Sequence, residues 1–248
     1  MKFLRLLLLT IGCIFCNTAT ANETVSKTTQ APKEREKIIF GLAGVTQKDR
    51  PFRLGAKVLK EISKKTGYKM DLITLPHKRA KVMLKKGEID ADLARIKEFS
   101  DNYNSFVMVD EPIVKLPFYA YSKNKDVSIE DIKSSKTLRI AALRGQVFSP
   151  TFFKSSQITF VNSIKSGFWF LHKKRADIFV TDEISAQTTT DILKLEELGI
   201  YKLNQPLAVV DAYTFFSAEN ADIAIEYKKA LIEIKKEGIY DKIFEETK

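Results

Sequence analysis

The chain has 248 residues, 44% of them hydrophobic and 29% charged, a balance that fits one large domain or two small ones with a real core. Its 41 Lys and Arg against 31 Asp and Glu give a formal charge of +10, which reads either as a solvated basic surface or as steering of anionic ligands. No motif points to nucleic acid.

The N-terminus, MKFLRLLLLTIGCIFCNTATANE, carries Lys2 and Arg5, an apolar run from Leu6 to Phe15, and then Ala19-Thr20-Ala21. That order predicts a secretory signal peptide over residues 1–21, cleaved after Ala21, and hence a periplasmic protein. The apolar run is too short for a membrane span. A lipoprotein signal around Gly12-Cys13 is the rival reading, with Thr10 where Leu is usual. Cleavage removes two positive charges, so +10 becomes +8. It also removes Cys13 and Cys16, which leaves no disulfide, thiolate nucleophile or Cys metal ligand in the mature chain. Residues 22–37 are polar, contain Pro32 and predict a flexible tether.

From Ile38, IIFGLAG predicts a buried strand and a turn. Arg53 to Thr66 carries Leu54, Val58, Leu59 and Ile62 at helical spacing, closed by Gly67. YKMDLITL predicts a second strand, HKRAKVMLKK a helix and IDADLARI a third strand. Such short strand–helix–strand steps are the pattern of a parallel sheet with right-handed crossovers. Residues 97–111 show no period, and IVKLPFYAYSKN reads as an extended crossing segment. SIEDIK predicts a short helix capped by Ser128. A second series then begins. LRIAALRGQVF is a strand and loop with a helix near Ser149-Pro150, ITFV a strand, SIKSGFWFLHKK a helix, DIFVTDE a strand and ISAQTTTDILKL a helix. YKLNQPLAVVDAYTFFSAE is strand-like and returns to the first lobe. The last helix starts near Asp222, Gly238 breaks it, and IYDKIFEE follows.

Two stretches organise this series. Lys81–Arg95 and Phe168–Asp182 each run from an apolar helix through a Lys-Lys turn and an Asp into a short strand ending in an ionisable group. They predict two similar lobes, with Arg95 and Asp182 facing a shared cleft.

The order of elements resembles the type 2 periplasmic solute-binding proteins, in particular the family-3 group serving polar amino-acid ABC importers. KKGEIDADL is similar to that family's G-x-x-D signature, KKRADIFVTDE to its A-D-hydrophobic-D signature, and ALIEIKKEGIYDKIFEE to its helix–Gly–helix ending. LRIAALRGQVF resembles the strand and loop that open its second lobe. The resemblance runs from about Ile38 to the C-terminus. It implies an α/β, two-lobed fold, each lobe a mostly parallel sheet flanked by helices, joined by a hinge of two crossing strands. The expected layout is lobe 1 over 38–117, hinge 118–122, lobe 2 over 123–205, and 206–248 as hinge return and completion of lobe 1. Two departures stand out. The family's G-F-x-x-D hairpin is missing after Pro51-Phe52, and its Thr-x-x-Arg carboxylate anchor is absent, Arg95 coming only five residues after Asp90.

In open α/β sheets ligands sit beyond the carboxyl ends of the strands, which selects candidates without reference to any family. From the first lobe these are Phe52, His77, Arg79 and Arg95. From the second they are Arg144, Gly145, Gln146 and Asp182, with Tyr119 as an aromatic partner. Arg95 either grips a ligand carboxylate with its planar fork or pairs with Glu98 or Asp92. Asp182 either holds a ligand amino group, as the resemblance implies, or caps the helix of ISAQ. Gly145 either lets backbone amides approach an anion or makes a turn. Arg79 competes with plain exposure, Phe52, Phe118 and Tyr119 with core packing, and His172 reads as surface.

The expected function is a non-catalytic, monomeric periplasmic receptor that needs no cofactor or metal. It closes on a small polar, carboxylate-bearing, amino-acid-like solute and presents it to an ABC importer. The alternatives are a ligand-loaded partner of a membrane sensor, or a dehydratase-like enzyme built on His77 and Glu183. Nucleophile-elbow, phosphate-loop and dinucleotide fingerprints are absent from the sequence.

Overall fold

A computed structural model describes residues 37–99, 105–153 and 157–247. The expected signal peptide and residues 22–36 of the expected tether lie outside them, and Lys37 opens the first strand. In chain order the elements are β1 (Lys37–Ala43), α1 (Arg50–Thr66), β2 (Lys69–Leu75), α2 (His77–Lys85), β3 (Ala91–Ile96), a 3-10 turn (Lys97–Phe99), β4 (Phe106–Met108) and β5 (Val114–Ser122). There follow α3 (Ile129–Ser134), β6 (Arg139–Leu143), α4 (Phe148–Phe152), β7 (Gln157–Val161), α5 (Ile164–His172), β8 (Ile178–Asp182) and α6 (Glu183–Leu193). The chain ends with β9 (Tyr201–Lys202), β10 (Ala208–Ser217), α7 (Ala221–Lys236) and α8 (Ile239–Glu246).

The strands form one sheet in the order β2-β1-β3-β10-β5-β8-β6-β7, with β4 paired to β10 and β9 to β5. Each half follows the strand–helix–strand rule. In the first, β1 runs parallel to β2 and β3; in the second, β6 runs parallel to β7 and β8. The two-lobed α/β architecture expected from the sequence is the one the chain adopts. The halves are joined by an antiparallel ladder of β5 and β10, Val114–Phe118 against Ala208–Ala212. Residues 118–122, the expected first crossing, are the part of β5 paired with β8, whereas β10 beyond Ala212 pairs with β3 and β4.

Local sequence explains the frame. Helix α1 carries Pro at its start, where a missing N–H costs nothing. It ends at Gly67, whose φ of 74° lets its N–H reach the Ser63 carbonyl at 2.8 Å. Its buried face, Leu54, Val58, Leu59 and Ile62, packs with Phe40 and with Tyr227, Leu231 and Ile234 of α7. Ser128 and Asp131 make a reciprocal capping box on α3. The two similar stretches also fold alike. Asp90 accepts the Ile39 N–H at 2.7 Å, and Asp177 accepts the Arg139 N–H at 3.0 Å. Each Asp thus pins the start of one strand as the chain enters its parallel neighbour. The second half buries Tyr121, Phe168, Leu171 and Phe179 in its own core.

Candidate functional site

Strands β1, β3, β6 and β8 end around one cavity of about 110 Å³. It lies beyond their carboxyl ends, where the strand order reverses between the halves, the position that open α/β sheets use for ligands. Its wall is mostly aliphatic and aromatic, with Leu42, Leu54, Leu93, Leu116, Phe118 and Phe148 prominent. Five side chains bring polar groups to it: His77 and Arg95 from the first half, Gln146, Asp182 and Ser185 from the second.

The first-half group depends on a backbone irregularity that the sequence reading missed. Asp92 and Arg95 are three residues apart and in a regular strand would point to opposite faces. Between the pairs Arg95–Tyr213 and Asp92–Phe215, β3 carries two residues against one on β10. Ala94, in this bulge, adopts φ 58°. A bulge restores the parity and re-aims the side chain, so the two residues meet. Arg95 Nε and Nη2 reach Asp92 Oδ2 at 2.8 and 2.7 Å. Nη1 donates to His77 Nδ1 at 2.8 Å, and the guanidinium lies 4.7 Å from the centre of the Phe99 ring. Because Arg95 can only donate, His77 Nδ1 must accept, and the imidazole proton sits on Nε2. Burial, with the Arg95 charge beside it, pulls the His77 pKa down to about 3, so the ring is neutral. Burial pushes the Asp92 carboxyl up, with Arg95 opposing it.

The second-half groups are less tied. Asp182 ends β8 and caps α6, accepting the Ser185 N–H at 2.8 Å. It is 5% exposed, and burial pushes its carboxyl up. Gln146 is 9% exposed, and its Oε1 has no partner among the described residues. Phe148 stacks on Phe118 at 3.9 Å, fixing the wall beside them.

The halves touch across the cleft. Gly145, at φ 82°, sits so close to α2 that an added Cβ would lie 2.9 Å from His77 Cβ and 3.3 Å from the Lys78 nitrogen. Gly44 approaches the same imidazole from the other side. The Arg50 N–H donates to Thr188 Oγ1 of α6 at 3.3 Å.

Solved structures share this fold. An ancestral arginine-binding protein bound to arginine superposes with a TM-score of 0.69 at 20% identity, covering 86% of this chain and 99% of that one. The fold is that of the type 2 periplasmic binding proteins. A histidine kinase sensor domain with similarity to periplasmic binding proteins matches with a TM-score of 0.70 at 12% identity, over 86% of this chain and 97% of its own. No protein-family model matches. An uncharacterized protein of Shewanella oneidensis is 22% identical over 248 residues, 96% of this chain and 92% of its own length.

Within this periplasmic-binding-protein fold, His77, Arg95, Gln146 and Asp182 are the predicted site residues that meet at the cavity. The others lie elsewhere. Arg79 is exposed on α2. Arg144 points outward, its Nε donating to Asn162 Oδ1 at 3.0 Å. Gly145 makes the turn against His77, and α4 behind it is only five residues long. Phe52 packs on the first core, and Tyr119 packs on the second with Lys202 over its ring at 4.3 Å. His172 is half-buried against Trp169. Phe148 and Ser185 were not foreseen. The helix-cap pattern Asp182-x-x-Ser185 was the signal for the serine; nothing singled out Phe148.

Proposed function

We propose that this chain is a non-catalytic, exported receptor that works as a monomer. Its two lobes close about the β5–β10 ladder over a small solute, and the closed form is read by a membrane partner. The observation that carries this reading is the convergence of His77 and Arg95 from one half with Gln146 and Asp182 from the other on a single cavity at the strand ends. The binding-protein and sensor-domain neighbours support it by fold. Delivery to an ABC importer is the first reading of that partner; loading of a membrane sensor is the second, favoured by the likeness to the histidine kinase sensor domain.

The enzymatic alternative needs an acid–base pair in the cleft. His77 has its Nδ1 occupied by Arg95, and Glu183 is engaged by Lys202 on the outer side of α6, along a separate groove. The carboxylate-bearing, amino-acid-like solute needs a free guanidinium fork, and Arg95 gives its Nε–Nη2 edge to Asp92. The geometry therefore supports a receptor more firmly than it supports that solute. The test is a thermal-shift screen of the purified protein against amino acids, small carboxylates, amines, polyamines and sugars. A ligand at about 100 times its dissociation constant adds about 2.7 kcal/mol, which moves the midpoint of a chain this size by several degrees. One responding class supports the receptor; turnover of the responding compound overturns it in favour of an enzyme.

A further inference from the structure

The polar atoms at the cavity are unequal in what they still offer. Arg95 has spent its Nε–Nη2 edge on Asp92 and one Nη1 N–H on His77 Nδ1, and Nη2 also lies 3.5 Å from the His77 carbonyl, so gripping a ligand carboxylate with two parallel bonds means displacing one of these. His77 is uncharged. On the other side, Asp182 accepts from the Ser185 N–H, with the Ser185 side chain also beside it, and forms no ion pair among the described residues, while Gln146 Oε1, closed off in this conformation, accepts nothing from them. A buried acceptor without a partner costs free energy until a donor arrives. The remaining wall is apolar.

We infer that the cleft takes a small apolar primary ammonium compound without a carboxylate, its ammonium donating to Asp182 and, once the amide turns into the cavity, to Gln146 Oε1, and its hydrocarbon body lying against Leu42, Leu54, Leu93 and Phe118. This rests on the receptor reading above and narrows it. A carboxylate placed in the same cavity would meet the Asp182 carboxyl oxygens with no free guanidinium fork to balance them. A cavity of about 110 Å³ has room for on the order of seven to eleven water-sized groups, the size of 3-methylbutylamine or 2-phenylethylamine.

Two series with matched skeletons test this by calorimetric titration and thermal shift on the purified protein. One contains 3-methylbutylamine, 3-methylbutanol, 4-methylpentanoate and leucine. The other contains 2-phenylethylamine, 2-phenylethanol, 3-phenylpropanoate and phenylalanine. The amine of at least one series is expected to bind tightest, at least tenfold ahead of its acid and its amino acid. Asp182→Asn, which keeps the helix cap, is expected to weaken that amine at least tenfold without lowering the melting point of the free protein. Gln146→Leu is expected to weaken it less. If the acid or the amino acid binds tightest, or Asp182→Asn leaves amine affinity unchanged, the ligand class is wrong and the receptor stands. The same holds if only compounds outside both series bind. If no solute of any class shifts the protein, the ligand class and the receptor reading fall together.

Discussion

The two sides of the cleft solve the problem of buried charge in opposite ways. On the first side Asp92, Arg95 and His77 bind one another, with Asp92 Oδ1 buried and unpartnered among the described residues. On the second, Asp182 and Gln146 are buried, and Gln146 Oε1 has no partner among the described residues. A network whose charges are paired holds a shape, because every member is costly to lose. An incomplete one holds stability in reserve for a donor that the chain does not supply. The first side is therefore read as the wall of the site and the second as its reader.

The largest test of that contrast is Arg95→Ala. It leaves Asp92 as a buried charge without its partner and should cost about 3–5 kcal/mol in urea unfolding. The double change with Asp92→Ala should cost less than the sum of the two single changes. The next is acidification. The folded pKa of His77, about 3, lies below its ordinary 6.5, so the unfolded chain binds the extra proton between those values. Stability is full above pH 6.5 and falls as pH drops through that window, by at most about 5 kcal/mol from this group. His77→Gln, which can still accept from Arg95, should flatten that part of the pH profile.

Gly145→Ala tests the closed contact itself. The new Cβ meets His77 at 2.9 Å in a left-handed backbone position. It should cost about 1–2 kcal/mol and hold the lobes apart, read as a larger radius of gyration in solution scattering. Asp182→Asn should act in the opposite direction. Burial raises its folded pKa, so ionised Asp182 lowers native stability as pH rises through that value. Replacing the carboxyl while keeping the cap should remove that loss and raise stability on the alkaline side of the folded pKa by about 1 kcal/mol, measured by thermal unfolding without ligand as pH is raised. The smallest effect is expected at Ala94, where Gly relieves the φ of 58° and should add no more than about 1 kcal/mol.

What the sequence made legible follows from periodicity and caps. Helix α1, the Ser128 box and the paired Asp90 and Asp177 turns are local patterns, and local patterns survive translation into structure. The cleft pairing of Arg95 with Asp182 was legible because both end strands of similar units. What was not legible depends on partners far along the chain. Strand β4 is three residues long and exists by pairing with β10. The bulge at Ala94 is defined only against Tyr213 and Phe215, although the Asp92–Arg95 spacing carried a trace of it. With that register unknown, Arg95 could be read either as a ligand grip or as a partner of Asp92.

The connectivity has a consequence for how the protein is made. The second half is one continuous run of chain between its two crossings, whereas the core of the first, around Phe40 and Leu59, is closed by Tyr227, Leu231 and Ile234 of α7. A chain emerging N-terminus first can complete its second half while the first still exposes that apolar face. The half that arrives earliest finishes last. Its maturation therefore waits on the final thirty or so residues to emerge, and a truncation there should leave a well-formed second half attached to an open, aggregation-prone first one.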